Sequence, residues 1–332
     1  RDESATDASD LALEMAEGDG FETLGSEGTF SVAADMDTQG FADLGGAGTL
    51  DMIDAMGADQ FLELEGDQMA GMFDAMDSKE MESMGNEQVF DAAQTMDQEA
   101  LAGMGADSAF NMFETIGSDV GNLGGEQLGG MFDAMGADNI DSIGGDQIFE
   151  MVEGMGGSDF MTMGNDSALG MYETMGNDRV MEMEGDAMAG MFGAMGTEQL
   201  SDIGSEGVAD AFSAMGMDNA IGMGGTNLAD MFSAMGGDNI SAVGAEGMQE
   251  AALSMTGDAL AHMDPEAAAA MMDTMGSAEA TAALGGEQLA GLIGAINPDQ
   301  LAEVMPSEVL MEAAEKMTIE DFGAMSGEGA GA

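Results

Sequence analysis

Three turns in this sequence bring acidic and amide oxygens together: Gly136-Ala137-Asp138-Asn139, Gly176-Asn177-Asp178 and Gly236-Gly237-Asp238-Asn239. Oxygen-rich turns are the chemistry of calcium, a hard cation that takes about six to eight oxygen ligands. Asp138, Asn139, Asp178, Asp238 and Asn239 are therefore the candidate metal ligands. No turn carries the full ligand order of a helix–loop–helix calcium site, and the glycine-aspartate nonapeptide of calcium β-rolls is absent. Asp and Asn are expected here chiefly as helix-starting residues, satisfying first-turn amides and complementing the helix dipole. Weak, distributed binding of Ca2+ over an acidic surface is the remaining cation chemistry.

Methionine is the second unusual feature, at 40 residues. Thioether sulfur can hold copper, and a Met-rich groove can adapt to varied apolar partners. Met is also a flexible core residue, and here it follows helical spacing rather than clustering in short loop motifs, which predicts core. His262 is the single histidine, so no triad or imidazole metal site can be assembled around it, and a turn or surface role is expected. Asn165-Asp166-Ser167 and Asn239-Ile240-Ser241 match the glycosylation pattern, as chance allows in an Asn- and Ser-rich chain. The glycines follow helical segments rather than a strand and precede no Lys, so they do not form a phosphate-binding loop. No acid–base pair or nucleophile stands out, and an enzyme is not expected.

These residues sit on a unit of about 20 residues, clearest at Gly125 to Gly144. Leu128, Met131, Phe132 and Met135 are spaced i, i+3, i+4, i+7, the apolar stripe of an amphipathic helix. Gly136 can take positive φ and stop that helix. Asp138 then lies near the start of a shorter helix bearing Ile140 and Ile143. The last stripe residue recurs at Met56, Met76, Met96, Ile116, Met135, Met155, Met175, Met195, Met215, Met235, Met255, Met275, Ile296 and Met317. The step is 20, with one of 19 and two of 21, slips that turns absorb.

Three residues before this marker sits a bulky group, as at Phe73, Phe113, Phe132, Val152, Tyr172 and Phe192. Two before it the side chain is often acidic and is expected to face outward, as at Asp74, Glu114, Asp133, Glu153, Glu173 and Asp273. Mid-helix glycines such as Gly71, Gly130, Gly170 and Gly190 cost roughly 1 kcal/mol each relative to Ala, and their recurrence predicts close helix–helix approach. Isolated helices this short are marginal in water, so each unit must bury its stripe against its neighbours. The expected fold is all-α: an α-solenoid or superhelix of about sixteen helix-turn-helix repeats. At roughly 8–10 Å per helix, its path would be on the order of 130–160 Å.

Composition bounds the partners. Four basic residues face 66 acidic ones, for a net charge of −62. Nucleic acid would be repelled, and so would anionic membrane surfaces. A compact chain of this charge repels itself and calls for screening by salt or neutralisation by divalent cations. Periodic apolar residues argue against simple acidic disorder. With no cysteine, disulfides and thiolate sites are excluded. No run of about 18 apolar residues is present, so no transmembrane helix is expected. The first residue is Arg1, which reads as a mature or excised portion of a longer protein.

The chain divides into a polar segment, residues 1–10, expected to be disordered or linking; Gly/Met/Asp-rich repeats, 11–263, beginning with degenerate units bearing Leu11, Leu13 and Met15, then Thr29, Val32, Ala33 and Met36; Pro-containing divergent repeats or a C-terminal cap, 264–325; and a flexible tail, 326–332. Pro265, Pro298 and Pro306 each fall near an expected helix start, where proline is tolerated. The segments 264–275 (DPEAAAAMMDTM) and 297–317 (NPDQLAEVMPSEVLMEAAEKM) are richer in Ala, Leu and Glu. Their acidic helix starts followed by small and apolar runs resemble the superhelical N-terminal domain of bacterial magnesium transporters. The resemblance covers about 50 residues, implies a similar right-handed α-superhelix, and carries over no metal site.

These features predict a non-enzymatic structural or adhesive repeat protein of a cell surface or extracellular fibre. It would be acidic and salt- or cation-dependent, and would associate with itself or with other surface proteins. The alternatives are a protein- or peptide-binding α-solenoid scaffold and an acidic cation- or mineral-binding matrix protein. A saline exterior and the cytoplasm of a salt-accumulating organism both fit the charge.

Overall fold

The computed structural model describes residues 3–16, 20–153 and 155–325. Those residues are helical with short connections, and no strand occurs among them. The chain divides into two compact units, Arg1–Gly176 and Asn177–Ala332. In each, helices of about three turns alternate with short ones. Gly66–Ala75, Ser78–Met84, Asn86–Thr95 and Gln98–Ala102 follow this order in the first unit. Gly185–Ala194, Thr197–Ile203, Ser205–Met215 and Met217–Gly222 follow it in the second. The expected two-helix unit is therefore present.

The stripe makes the core. Leu128, Met131, Phe132 and Met135 are buried, and so are the equivalent Met188, Met191, Phe192 and Met195. Neighbouring aromatic positions meet ring to ring: Phe113 and Phe132 lie 6.4 Å apart and Phe212 and Phe232 lie 5.4 Å apart. Most of the 40 methionines are in this core, where their flexible thioethers fill gaps left by the small residues around them.

A second buried column runs through the short helices, five residues after most markers. Phe41, Phe61, Met81, Leu101, Ile140, Phe160, Val180, Leu200, Ile240 and Leu260 are all fully buried there. Phe61 packs edge-on against Phe73, with ring centroids 6.0 Å apart. Ile143, expected beside Ile140, is only half-buried.

The glycine between paired helices stops the first one in a particular way. Gly136 has φ 67° and ψ 170° inside the otherwise helical span Gly125–Ile143. That is the mirror image of extended backbone, open essentially only to glycine, and not the left-handed helical cap the sequence suggests. The chain thus turns sharply while residues on both sides stay helical. Where glycine is replaced, a different pair of angles does the same work. Met76 is extended at φ −96° and ψ 146°, and Asp77 follows at φ −90° and ψ 178°, accepting hydrogen bonds from the Lys79 and Glu80 amides. Two sequence solutions therefore produce one turn.

Within each unit, long helices pack on short helices about thirty residues before them, as Asn165–Met175 does on the second half of Gly125–Ile143 and Gly286–Ala295 on Gly257–Ala261, and mid-helix glycines mark the contact. A Cβ at Gly130 would lie 2.6 Å from the Gln98 carbonyl oxygen, and one at Gly170 would lie 2.8 Å from the Ala137 Cα. Backbone stands there, so it cannot rotate away. Gly130→Ala is expected to lower stability by about 1–3 kcal/mol, as overpacking does, measured by urea unfolding followed by circular dichroism. Gly222→Ala has nothing within 4 Å and removes only unfolded-chain entropy, so it is expected to be neutral or to stabilise by up to about 1 kcal/mol.

The ends of the chain depart from expectation. Residues 3–10 belong to the helix Glu3–Ala16 rather than to a frayed or linking segment. That helix buries Ala8, Ser9 and Ala12, while Leu11 and Leu13 stay 43% and 39% exposed. Small residues allow close approach to the helix Thr38–Met56, so the leucines turn outward. Thr29, Val32, Ala33 and Met36 are buried as expected. Pro265 and Pro298 open helices at their first position, and Pro306 caps the helix Ser307–Lys316. The Gly257–Ala261 helix packs on Gly286–Ala295, so the same packing continues past residue 263. The tail 326–332 lies outside the described residues.

Candidate functional site

The turns with metal-ligand chemistry are built as helix starts. Asp138, Asp178 and Asp238 are exposed, each in the first turn of a short helix. The Asn139 side-chain amide donates to the Met135 carbonyl at 3.2 Å and to the Ala106 carbonyl, also at 3.2 Å. Asn239 repeats this in the other unit, donating to Met235 at 2.9 Å and Ser205 at 3.1 Å. Each amide thus ties a turn to the first residue of the long helix that begins 33 or 34 residues earlier. Asn139 and Asn239 are stitches between repeats. No three acidic, histidine or cysteine side chains come together as a metal-holding group among the described residues.

Several acidic side chains have a role their sequence position conceals. Asp133 Oδ1 accepts a hydrogen bond from the Gly164 amide at 2.7 Å, and Ser167 Oγ donates to the same oxygen at 3.2 Å. Gly164 is the N-cap of the helix Asn165–Met175, so an acid on one long helix caps the long helix of the next repeat but one. Asp74 does the same for Gly105, at 2.8 Å. In the second unit Ser233 replaces the acid and accepts from the Asp264 amide at 2.9 Å. Asp74 and Asp133 thus cap helices in addition to the outward acidic role expected of them, whereas Glu114, Glu153, Glu173 and Asp273 are exposed as expected. Asp133→Ala is expected to cost about 1 kcal/mol, the usual worth of such a cap, with faster amide hydrogen exchange at the start of the helix Asn165–Met175.

Asp77 caps its own helix, and bonds from the Glu80 side chain, then from the Glu80 and Lys79 amides, hold its carboxyl below the usual aspartate range. A depressed folded-state value means that this contribution is present above the unfolded-chain value near 3.8 and is lost as pH falls through the folded one.

The remaining candidates have structural explanations. His262 is exposed at the end of the helix Gly257–Ala261, and its Nδ1 donates to the Asp258 carbonyl at 2.6 Å. Ser167 of one glycosylation match is buried, and Asn239 of the other uses its amide nitrogen in the stitch. Lys316 Nζ donates to the Thr281 carbonyl and, at 2.9 Å, to the Ala282 carbonyl. It thereby places a cation at the negative end of the helix Ser277–Ala283.

Open grooves lie between successive helices. One of about 450 Å³ in the second unit is lined by Asp210, Phe212, Met217, Met235 and Glu250 among others. One of about 580 Å³ in the first unit is lined by Asp146, Glu150 and Met151. Both combine carboxylates with a methionine floor, as the repeat dictates.

No protein-family profile matches the chain, and no curated protein matches it significantly. Among solved structures, it is similar to an engineered protein at 13% identity and a TM-score of 0.30, over 97% of this chain and 95% of that one. It is similar to human Puf-A at 10% identity and a TM-score of 0.21, over 99% of this chain but 60% of that one. A computationally designed self-assembling cyclic homo-oligomer aligns at 11% identity and a TM-score of 0.12. None of the three is a magnesium transporter. The all-α repeat fold rests on the helices and contacts described above. No described helix is long and apolar enough to cross a membrane.

Proposed function

We propose that this chain is a non-enzymatic structural repeat protein whose acidic surface associates with further copies, or with other surface proteins, when salt or divalent cations screen it. The observation that carries this reading is the constancy of the unit. The stripe, the turn, the amide stitch and the inter-repeat cap recur in the same register, as at Asn139 and Asn239 or at Asp74 and Asp133. Side chains that depart from a generic exterior serve packing, and exposed carboxylate is what each repeat offers to a partner. A repeated surface presents many equivalent weak contacts, which suits association by multivalency and, through heterologous contacts, open filaments.

An extracellular or cell-surface setting suits such a protein, and a salt-rich cytoplasm would satisfy the same charge. The resemblance of 264–275 and 297–317 to the magnesium transporter domain supplies no ligands and adds nothing to this reading. Calcium would act here as a bridging counterion over the whole surface, with Asp138, Asp178 and Asp238 among its exposed contacts.

Electron microscopy and sedimentation of purified protein test the proposal, at low salt, at high salt and with millimolar calcium. The expected result is assemblies that grow with salt or calcium and dissolve on dilution or chelation. Monomers under every condition would refute it. Tight one-to-one capture of a peptide in a groove such as that lined by Asp210 and Glu250 would favour the scaffold reading instead.

A further inference from the structure

The methionine-rich core has a chemical consequence beyond packing. Sulfur in this chain is confined to methionine, since cysteine is absent. Its methionines range from fully buried, through half-buried as at Met84, Met181 and Met217, to exposed. Core members such as Met131, Met191 and Met231 are at most 1% exposed, whereas Met161 is 39% exposed and Met311 is 68% exposed. Met163 and Met305, close by in sequence, are buried, so the exposure is local to Met161 and Met311.

We infer that Met161 and Met311 are peroxide-oxidation sites of the folded protein, and that the fold itself protects the core methionines on which refolding depends. In the reaction the Sδ lone pair attacks one peroxide oxygen. The S–O bond forms as the O–O bond breaks, and the second oxygen leaves as water after proton transfer. Sulfur is oxidised by two electrons and hydrogen peroxide is reduced. At Met161 and Met311 the new sulfoxide oxygen is met by water, so the helices Gly157–Met161 and Ser307–Lys316 are kept. In the core the same oxygen would be a buried acceptor without a donor. The stripe repeats in every unit, so a chain oxidised while unfolded carries that fault throughout both units. Reaction at Met131, Met191 or Met231 waits on opening of the fold and lags the exposed pair by a factor on the order of 10³ or more.

The test is a time course with hydrogen peroxide in high salt, read by mass spectrometry after cleavage at acidic residues, with circular dichroism in parallel. The expected result is early oxygen addition at Met161 and Met311 with unchanged helix content. The half-buried Met84, Met181 and Met217 should follow, and the core last. A Met161→Leu, Met311→Leu double variant should lose the early phase and keep its helix content. Protein oxidised in urea should fail to regain helix when the urea is removed, and should regain it after treatment with the two epimer-specific methionine sulfoxide reductases. Equal oxidation rates at Met131 and Met311, or full helix recovery by the urea-oxidised chain without the reductases, would overturn the inference.

Discussion

Phe61→Ala is expected to lower stability by about 3–5 kcal/mol, the cost of emptying a buried aromatic site. Phe322→Ala is expected to change it by no more than about 0.5 kcal/mol, as at other exposed positions. The two residues hold the same place in the repeat, five after the markers Met56 and Met317. Phe61 is fully buried beneath Phe73, whereas Phe322 is 41% exposed. Burial arises when a helix about thirty residues away closes over the short helix, as Gly66–Ala75 closes over the start of Thr38–Met56, where Gly71 meets Thr38 and Phe41. Urea unfolding of the two variants, followed by circular dichroism, compares the covered and uncovered cases directly. Similar losses would mean that the short-helix column does not draw its stability from neighbouring repeats.

Salt is expected to change stability by about as much as emptying a buried aromatic site. The surface of 14593 Å² carries a net charge of −62, so net charges lie on the order of 15 Å apart and repel by roughly 0.3 kcal/mol per neighbouring pair in water. Raising NaCl from about 0.1 M to about 1 M shortens the screening length from about 10 Å to about 3 Å. The unfolded chain spreads its charges and gains less from this. A net gain on the order of 5 kcal/mol raises Tm by roughly 10 °C, at about 2 °C per kcal/mol for a chain of this size. Thermal melts in increasing NaCl provide the measurement. A flat or falling Tm would show that the acidic surface is held apart well enough to need no screening.

Much of the fold is legible in the sequence because an eleven-residue helix displays its period. The spacing of Leu128, Met131, Phe132 and Met135 sets a face, and the recurrence of the last residue sets the repeat. The mid-helix glycines announce close contacts through their cost, and Gly130 and Gly170 meet backbone where that cost implies. The column through Phe41, Phe61 and Leu101 is harder to see. A helix of four to seven residues holds one such position, too few for periodicity to reveal a face, and only alignment of repeats brings the column out.

The acidic positions are ambiguous for another reason. Asp133 and Glu153 occupy equivalent places, yet Asp133 reaches the Gly164 amide while Glu153 stays exposed. A carboxylate in sequence does not show whether an amide thirty residues away needs an acceptor. The same holds for Asn139 and Asn239, whose oxygen-rich turns suggest a cation site while their amide nitrogens bridge repeats. Leu11 and Leu13 mislead because strong hydrophobicity outweighs small size in a sequence pattern, whereas close packing beside Thr38–Met56 favours Ala8 and Ala12.

Within each unit, repeats interlock at one register, with helices seated on others about thirty residues away, as Gly286–Ala295 is on Gly257–Ala261. The absence of native cysteine makes this register directly testable. A Cβ built at Gly225 lies 3.7 Å from the Ala259 Cβ, close to the mean of about 3.8 Å found in disulfides. A Gly225→Cys, Ala259→Cys double variant, oxidised with diamide in high salt, should form an intramolecular bridge. The bridged protein should lose two hydrogens by mass, keep its helical spectrum and yield no free thiol to alkylation. Two fully alkylated thiols in the folded, helical protein would contradict this register.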